Sequence, residues 1–274
     1  MWLQWNQAAI LSAVLAVAGV LARPLRRRWA AAGGAIAREA ALILALYALW
    51  QKMGEVAVTG TAGGVAHARA IWHVEQMLHL PIELDLQRLV LPHPILVQVL
   101  NVYYAVVHVP ALIVFLLWLF LRHRDQYPRW RNVGALLTGV SLLIQMIPVA
   151  PPRLLPGLGF VDTAVRYHQS VYGPNGISIA PQLSAMPSVH VGWAVFIALA
   201  VVLTSTSRWR WLVIAHPVLT VLAVTGTANH WWLDGAASVG LLALSWATVW
   251  AVGLAVAGLR MRAGQPVAVL APVE

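Results

Sequence analysis

The sequence has 274 residues, of which 60% are hydrophobic and only 10% are charged. Soluble domains carry about 25% charged residues, and a soluble fold of this size cannot keep so much apolar surface away from water. The net charge of +9 comes from basic residues that stand in short clusters between apolar runs. This pattern is typical of membrane topology signals and not of nucleic-acid binding. The chain contains no cysteine, which excludes disulfides and thiol chemistry.

Seven apolar runs predict seven membrane-spanning helices, because each is close to the ~20 residues needed to cross ~30 Å of hydrocarbon. They cover approximately residues 5–22, 36–53, 95–121, 133–149, 189–203, 211–228 and 233–259. A glycine-rich link at 54–64 precedes an amphipathic stretch at 67–91, whose charges favour a helix lying in the membrane interface. We therefore predict an all-α fold, a polytopic transmembrane helix bundle, with the Pro- and Gly-rich loop at 150–185 covering one end.

The N-terminal part, residues 1–30, is predicted to be a transmembrane anchor followed by a basic loop. Its arginines follow the apolar run and no basic segment precedes it, which favours a retained anchor over a cleaved signal peptide. Residues 31–262 are predicted to form one membrane-embedded domain, and residues 263–274 a short C-terminal tail.

Basic residues also predict the orientation of the bundle. If the loop after the first run is cytoplasmic and the runs alternate, 13 of the 18 basic residues fall on the cytoplasmic side. The positive-inside rule therefore places the N-terminus outside and the C-terminus in the cytoplasm. Arginine outnumbers lysine 17 to 1 and alanine is abundant, which favours a GC-rich bacterial source and hence the bacterial cell membrane.

Three polar motifs fall on the side predicted to be extracytoplasmic. Ala150-Pro-Pro-Arg153 follows the fourth run, Ala185-Met-Pro-Ser-Val-His190 opens the fifth, and Asn229-His-Trp-Trp-Leu-Asp234 lies between the sixth and seventh. The fifth and sixth runs form a hairpin with a short inside turn, so His230 returns to the level of His190 although 40 residues separate them. We expect two imidazoles, a carboxylate and an arginine to meet at one face.

This set of side chains indicates phosphoryl transfer. An imidazole such as His230 is a nucleophile when its other nitrogen donates to a carboxylate, and Asp234 lies four residues on. His190 is suited to protonating the leaving oxygen. Arg153 can hold two phosphoryl oxygens, or alternatively grip lipid headgroups or cap the fourth span. Ser188 is placed either to cap the helix it precedes or to hold an anion.

Met-Pro-Ser-Val-His and His-Trp-Trp-Leu-Asp resemble the second and third signature motifs, Pro-Ser-x-His and His-x-x-x-Asp, of the type-2 phosphatidic acid phosphatase superfamily. The segments Ala150-Pro-Pro-Arg153 and Ala185-Met-Pro-Ser-Val-His190, together with Asn101-Val-Tyr-Tyr-Ala-Val-Val-His108, resemble the branch that contains inositol phosphorylceramide synthases and their bacterial relatives. The resemblance covers approximately residues 75–240. It implies a six-helix core with an added N-terminal span, a lipid phosphate substrate, and metal-independent chemistry without a cofactor.

The motifs depart from the family pattern at the phosphate clamp. The third motif usually carries Ser-Arg, with the Arg six residues before its histidine, and here that position is Val224. The first motif usually begins with Lys and ends in Arg-Pro, whereas here the corresponding segment contains no Lys and Arg153 is followed by Leu154. We expect Arg166, on the same loop as Arg153, to supply the missing cation, with a solvated loop charge as the alternative.

The expected reaction is hydrolysis of a lipid phosphate through a phosphohistidine on His230. One alternative is a phosphotransferase that moves a phospho-headgroup, such as inositol phosphate, between lipids. Another is a non-catalytic lipid-binding or transport protein on the same scaffold, against which the intact His190, His230 and Asp234 argue. A zinc site built from the same three residues is a further alternative, against which the metal-independent chemistry of the family argues. The sequence does not predict the oligomeric state.

Two further ionisable residues lie near the predicted site. His108, inside the third run, is predicted to make a hydrogen bond between helices. Glu75 is predicted to form a structural pair with Arg69 or Lys52, with orientation of a site residue as the alternative.

Overall fold

The computed structural model describes residues 3–24, 27–57, 61–170 and 180–263. Within these ranges the chain is all-α, as predicted, and contains no β-strand. Its helices are α1 (Trp5–Leu21), α2 (Arg28–Ala57), α3 (Thr61–Met77), α4 (Glu83–Val90), α5 (Pro94–Val106), α6 (His108–Arg122), α7 (Tyr127–Ile144), α8 (Thr163–Arg166), α9 (Val189–Thr204), α10 (Ala215–Gly226) and α11 (Trp232–Arg262). Residues 264–274 of the predicted C-terminal tail lie outside the described residues.

Several helices have the length and apolar composition of membrane spans. Within the described residues three qualify individually, at Trp29–Gly54, Arg208–Gly226 and Trp232–Arg262, and α5 with α6 qualifies as a bent pair. The shorter helices α1 and α9 are also apolar. Every predicted span therefore coincides with a helix or a helix pair, and the chain is a multi-pass membrane helix bundle.

The third predicted span is not one straight helix. It is divided at Val107 into α5 and α6, which meet at a bend of 50°. Pro110 explains the position of the break, because proline has no N–H for the carbonyl four residues earlier and its ring clashes with that carbonyl.

The amphipathic stretch at 67–91 is also divided. It forms part of α3 and the whole of α4, with a turn at 78–82 between them. The α4 helix begins with Glu83 and Asp85 in its first turn and has Arg88 in its last, an order that matches the helix dipole. Both helices pack against the end of the bundle that carries the polar motifs.

The core of the bundle is centred on α9, which contacts α6, α7, α10 and α11. Phe196 of α9 is fully buried among Phe115, Leu137 and Leu242 from three neighbouring helices. Gly134 allows this packing, since a Cβ atom there would come within 2.9 Å of the Phe196 ring. A tightly packed α9 gives His190, its second residue, a fixed position.

Candidate active site

The turn between α10 and α11 carries His230 and is fixed by its own hydrogen bonds. The Asn229 N–H donates to the Val224 carbonyl at 2.8 Å, and the Asn229 side-chain amide donates to the Thr227 hydroxyl at 2.6 Å. Ala228 has a φ of 56°, in the left-handed region that costs a non-glycine residue roughly 1–2 kcal/mol. Backbone strain of this kind is common where a turn presents a functional side chain.

One nitrogen of the His230 ring is held by two oxygen atoms. Nδ1 lies 2.8 Å from the Ala185 carbonyl oxygen and 3.3 Å from Oδ2 of Asp234. A carbonyl can only accept, so Nδ1 carries the hydrogen and Nε2 carries the lone pair. Nε2 is buried and makes no hydrogen bond within the described chain. A buried, unbonded lone pair is the feature that a nucleophilic imidazole requires.

Asp234 supplies the second oxygen atom that contacts Nδ1 of His230. It is fully buried, and its Oδ2 also accepts the Trp231 N–H at 2.8 Å. Because Asp234 lies in the first turn of α11, its carboxylate stands at the positive end of the helix dipole. The predicted pairing of His230 with Asp234 is present, and the backbone of the same turn orients the carboxylate.

His190 meets His230 as predicted, with 5.7 Å between the ring centroids. Its ring packs against aromatic neighbours, 4.4 Å from Tyr104 and 4.8 Å from His108. Nδ1 of His190 is buried and has no hydrogen-bond partner among the residues that the structure describes. His108 itself bonds across to α10, with Nε2 3.1 Å from the Thr220 hydroxyl, which confirms the predicted bond between helices.

Ser188 caps α9. Its hydroxyl accepts the Val191 N–H at 3.4 Å, and its own N–H donates to the Asp234 carbonyl at 3.0 Å. Its carbonyl accepts the Ser238 hydroxyl at 2.6 Å. Ser188 therefore joins the start of α9 to the first turns of α11, and its role as a phosphate ligand stays a prediction.

Arg153 lies next to the turn that carries His230. Its Nε donates to Asp162 at 3.1 Å and its Nη1 donates to the Asn229 side-chain oxygen at 2.5 Å. Its backbone N–H donates to the Ala228 carbonyl at 3.0 Å. The side chain is only 4% exposed, so the guanidinium is positioned before any substrate arrives.

A small cleft opens beside these groups. Two of its lining residues are neighbours of the imidazoles: the Tyr104 ring packs on His190, and Asn229 precedes His230. The polar residues that line it are Asn101, Tyr104, Arg153, Asp162, Gln169, Ser170 and Asn229. A guanidinium with amides and a phenol around it suits an anionic, hydroxyl-bearing group.

The structure does not bring Arg166 to this cleft. Arg166 ends the four-residue helix α8, is exposed, and has its guanidinium 5.8 Å from the centroid of the Tyr167 ring. The same helix is capped by Asp162, which accepts the Val165 N–H at 3.0 Å. Of the loop residues around α8, it is thus the anion Asp162 that contacts Arg153.

Sequence reasoning missed several contacts. Asp162 and Asn229 were visible as polar neighbours of the motifs, but the Ala185 carbonyl carries no signal in its side chain. The pairing predicted for Glu75 is also not the one found, since its Oε1 accepts the Leu233 N–H of α11 at 2.8 Å. The predicted alternative cation, Lys52, lies over the Trp5 ring, 4.5 Å from its centroid.

Among the described residues, no group of three or more His, Asp and Glu side chains is arranged to hold a metal ion. The Asp234 oxygen nearest to His230 faces the ring hydrogen on Nδ1 and not a shared point between the imidazoles.

The family model described as the PAP2 superfamily matches residues 69–248 of this chain. The matched range contains α4 to α10, most of α3 and the first half of α11, and with them every residue of the site described above. No curated protein and no solved structure matches the chain.

Proposed function

Because this chain belongs to the PAP2 superfamily, we propose that it is an integral membrane enzyme that hydrolyses a lipid phosphate through a phosphohistidine on His230. The observation that carries the proposal is that hydrogen bonds hold the His230 ring in one tautomer. Nδ1–H is held by the Ala185 carbonyl and Asp234, and Nε2 is left without a partner in the described chain.

In the first step Nε2 of His230 attacks phosphorus. The new P–N bond forms as the ester P–O bond breaks, and the lipid alcohol leaves with a proton from His190. The imidazole becomes positively charged when it is phosphorylated, and the Asp234 carboxylate stabilises that charge through Nδ1–H.

In the second step water attacks the phosphohistidine. His190, now neutral, accepts the proton of the water molecule, the P–N bond breaks, and inorganic phosphate leaves. The two ring centroids are 5.7 Å apart, so a phosphoryl group on His230 would lie near His190.

Arg153 is proposed to bind the phosphoryl oxygens, since its buried guanidinium is anchored beside His230 by Asn229. Phosphate would compete with Asp162 for the same donors. Ser188 and Arg166 remain proposed contributors. Ser188 would act through its position at the start of α9, and Arg166 would have to turn from the Tyr167 ring toward the cleft.

A second candidate function is transfer to an alcohol, as in the branch of inositol phosphorylceramide synthases and their bacterial relatives. The cleft favours this candidate because Asn101, Asp162 and Gln169 offer hydroxyl-binding groups beside Arg153. In that reaction the alcohol takes the place of water in the second step, and a phospho-headgroup such as inositol phosphate moves between lipids.

The purified protein in nanodiscs, supplied with lipid phosphates labelled at phosphorus, tests these proposals together. Hydrolysis releases labelled inorganic phosphate, whereas transfer produces a new labelled lipid only when a diacylglycerol or ceramide acceptor is present. Label that stays in the starting lipid, with binding but no phosphoenzyme, would support the non-catalytic alternative and overturn the proposal.

We further propose that the site opens on the extracytoplasmic face of a bacterial cell membrane. The proposal is supported by the excess of arginines at the opposite end of the spans. The chain has no cysteine, so single cysteines at Gly159 and Arg208 can be probed in intact cells with an impermeant thiol reagent. Labelling at position 159 alone is expected, and labelling at position 208 alone would invert the orientation.

A further inference from the structure

The start of α11 is held by three buried carboxyl groups from three different helices. Oδ2 of Asp234 accepts the Trp231 N–H at 2.8 Å, Oε1 of Glu83 accepts the Trp232 N–H at 3.1 Å, and Oε1 of Glu75 accepts the Leu233 N–H at 2.8 Å. Each of the three acids is at most 2% exposed. Three successive N–H groups next to the nucleophile are therefore bonded to one acid each.

The local sequence explains why the acids come from elsewhere. Helices usually begin with Ser, Thr, Asp or Asn, whose side chain binds the first free N–H groups. Here the N-cap is Trp231, which cannot accept a hydrogen bond through its side chain. The capping groups for the next two residues are supplied instead by Glu75 of α3 and Glu83 of α4.

Glu75 and Glu83 are also neighbours, because they accept from adjacent N–H groups, and Oε2 of Glu75 is buried without a hydrogen-bond partner among the described residues. Both helices lie outside the apolar spans. Burial, together with the neighbouring Glu83 carboxyl group, raises the pKa of Glu75 to about 9, and burial raises the pKa of Glu83 as well. A raised pKa keeps Glu75 protonated at neutral pH, so its Oε2 hydroxyl can donate to Glu83 while Oε1 accepts from Leu233.

We propose that Glu75 and Glu83 are positioning residues for the phosphoryl-transfer reaction: as a hydrogen-bonded carboxyl pair they clamp the first turn of α11 and so set the register of Asp234 against His230. The pair acts through the backbone, since Asp234 is oriented by the Trp231 N–H that lies next to the clamped residues. It also joins α3 and α4 to the catalytic turn. This inference rests on the proposed function only for its kinetic readout.

The titratable groups that face Glu75 are Glu83 from α4 and Asp234 from α11, with His230 bonded to Asp234 in turn. The segment Ala180–Leu183, which also packs on α3, contains none. Loss of the Glu75 proton would put a second negative charge beside Glu83, so we expect the clamp to weaken as the pH rises through about 9.

Two substitutions of Glu75 separate positioning from simple packing. Glu75→Ala removes the acceptor for Leu233 and should lower kcat, and the single-turnover rate of phosphoenzyme formation, about 10- to 100-fold with little change in KM. Glu75→Gln keeps the acceptor oxygen, and its amide donates to Glu83 as the acid does. It should recover most of that loss at pH 7 and should not show the wild-type decline in kcat above pH 9.

Asp85→Asn is the matched control, because Asp85 is on the same helix as Glu83 but is exposed and pairs only with exposed Arg88 among the described residues. The proposal is overturned if Glu75→Ala matches this control, or if Glu75→Gln is as impaired as Glu75→Ala.

Melting temperature against pH gives a readout that does not need turnover. A folded-state pKa raised from 4.5 to about 9 stabilises the fold fully below pH 4.5, and that contribution is lost progressively as the pH approaches 9. The melting temperature of the wild type should therefore fall relative to that of Glu75→Gln across this window. Parallel curves of melting temperature against pH for the wild type and Glu75→Gln would overturn the proposed pairing of Glu75 with Glu83. Diverging curves from a wild type that shows no turnover would count against the proposed function alone.

Discussion

The two histidines of the site are held in opposite ways. His230 has one ring nitrogen fixed by the Ala185 carbonyl and Asp234, in a turn that is itself bonded to α3, α4 and the loop of Arg153. His190 is packed between the rings of Tyr104 and His108, and its buried Nδ1 makes no hydrogen bond in the described chain.

This difference matches two chemical roles. A nucleophile must keep one tautomer, and a neighbour that fixes Nδ1–H leaves Nε2 ready to attack. A proton donor and acceptor must change its charge in each half of the cycle, so a strong partner for only one of its states would slow it. This contrast supports the proposed assignment of His230 as nucleophile and His190 as acid and base.

Replacement of His230, the histidine whose Nδ1 is held by hydrogen bonds, is expected to have the greatest effect on turnover. His230→Ala should eliminate the phosphohistidine and lower turnover by at least about 10⁴-fold, because no other group replaces a covalent nucleophile. The measurement is acid-labile label trapped on the protein after a single turnover. His93→Ala, at an exposed histidine, is the control. Label that maps to His190 would reverse the assignment.

His190→Ala tests the role of the second histidine as the general acid. Loss of general acid help should slow phosphoenzyme formation about 10²- to 10⁴-fold with a lipid alcohol as leaving group. With a p-nitrophenyl phosphate ester the penalty should shrink, since nitrophenolate leaves without a proton. Single-turnover bursts are needed because His190 also serves the second step. An equal penalty for both leaving groups would contradict its role as the acid.

Asp234→Asn tests how much the carboxylate contributes to holding the Nδ1–H tautomer of His230. Loss of the carboxylate should slow phosphorylation about 10²-fold through lost charge stabilisation. The Ala185 carbonyl still fixes Nδ1–H, so the effect should be smaller than in a site where the carboxylate is the sole orienting group. The readout is the single-turnover rate together with the melting temperature. A loss as large as that of His230→Ala would mean that Asp234 alone sets the tautomer.

The smallest expected effect concerns metals. If the two imidazoles carry the reaction, no metal-activated water is needed, and EDTA should change turnover less than about twofold. Activity that chelation abolishes and zinc restores would make the zinc site the better interpretation. The test uses protein purified without a metal-affinity step.

The sequence predicts the bundle and the meeting of its motifs because both follow from one-dimensional patterns. Apolar runs give the spans, and a hairpin of two spans returns His230 to His190. The bend at Val107 could also have been predicted, since Pro110 stands four residues beyond the last carbonyl of α5.

Other contacts depend on the path of the chain between the motifs. Glu75 and Glu83 reach α11 across separations of 158 and 149 residues, which no local pattern encodes. The sequence predicts a role for Arg166 because it is a cation on the same loop as Arg153, but the short helix α8 leaves it exposed. The contact of Asp162 with Arg153 likewise depends on how that loop folds.

The Ala185 carbonyl has a consequence for how this site tolerates mutation. A peptide oxygen is present whatever side chain the residue carries, so the group that fixes the His230 tautomer survives any substitution at position 185 that leaves the local backbone in place. Mutagenesis of individual side chains would therefore identify Asp234 but not the Ala185 carbonyl. One of the two groups that orient the proposed nucleophile is therefore fixed by the path of the main chain and cannot be recognised from side-chain identity.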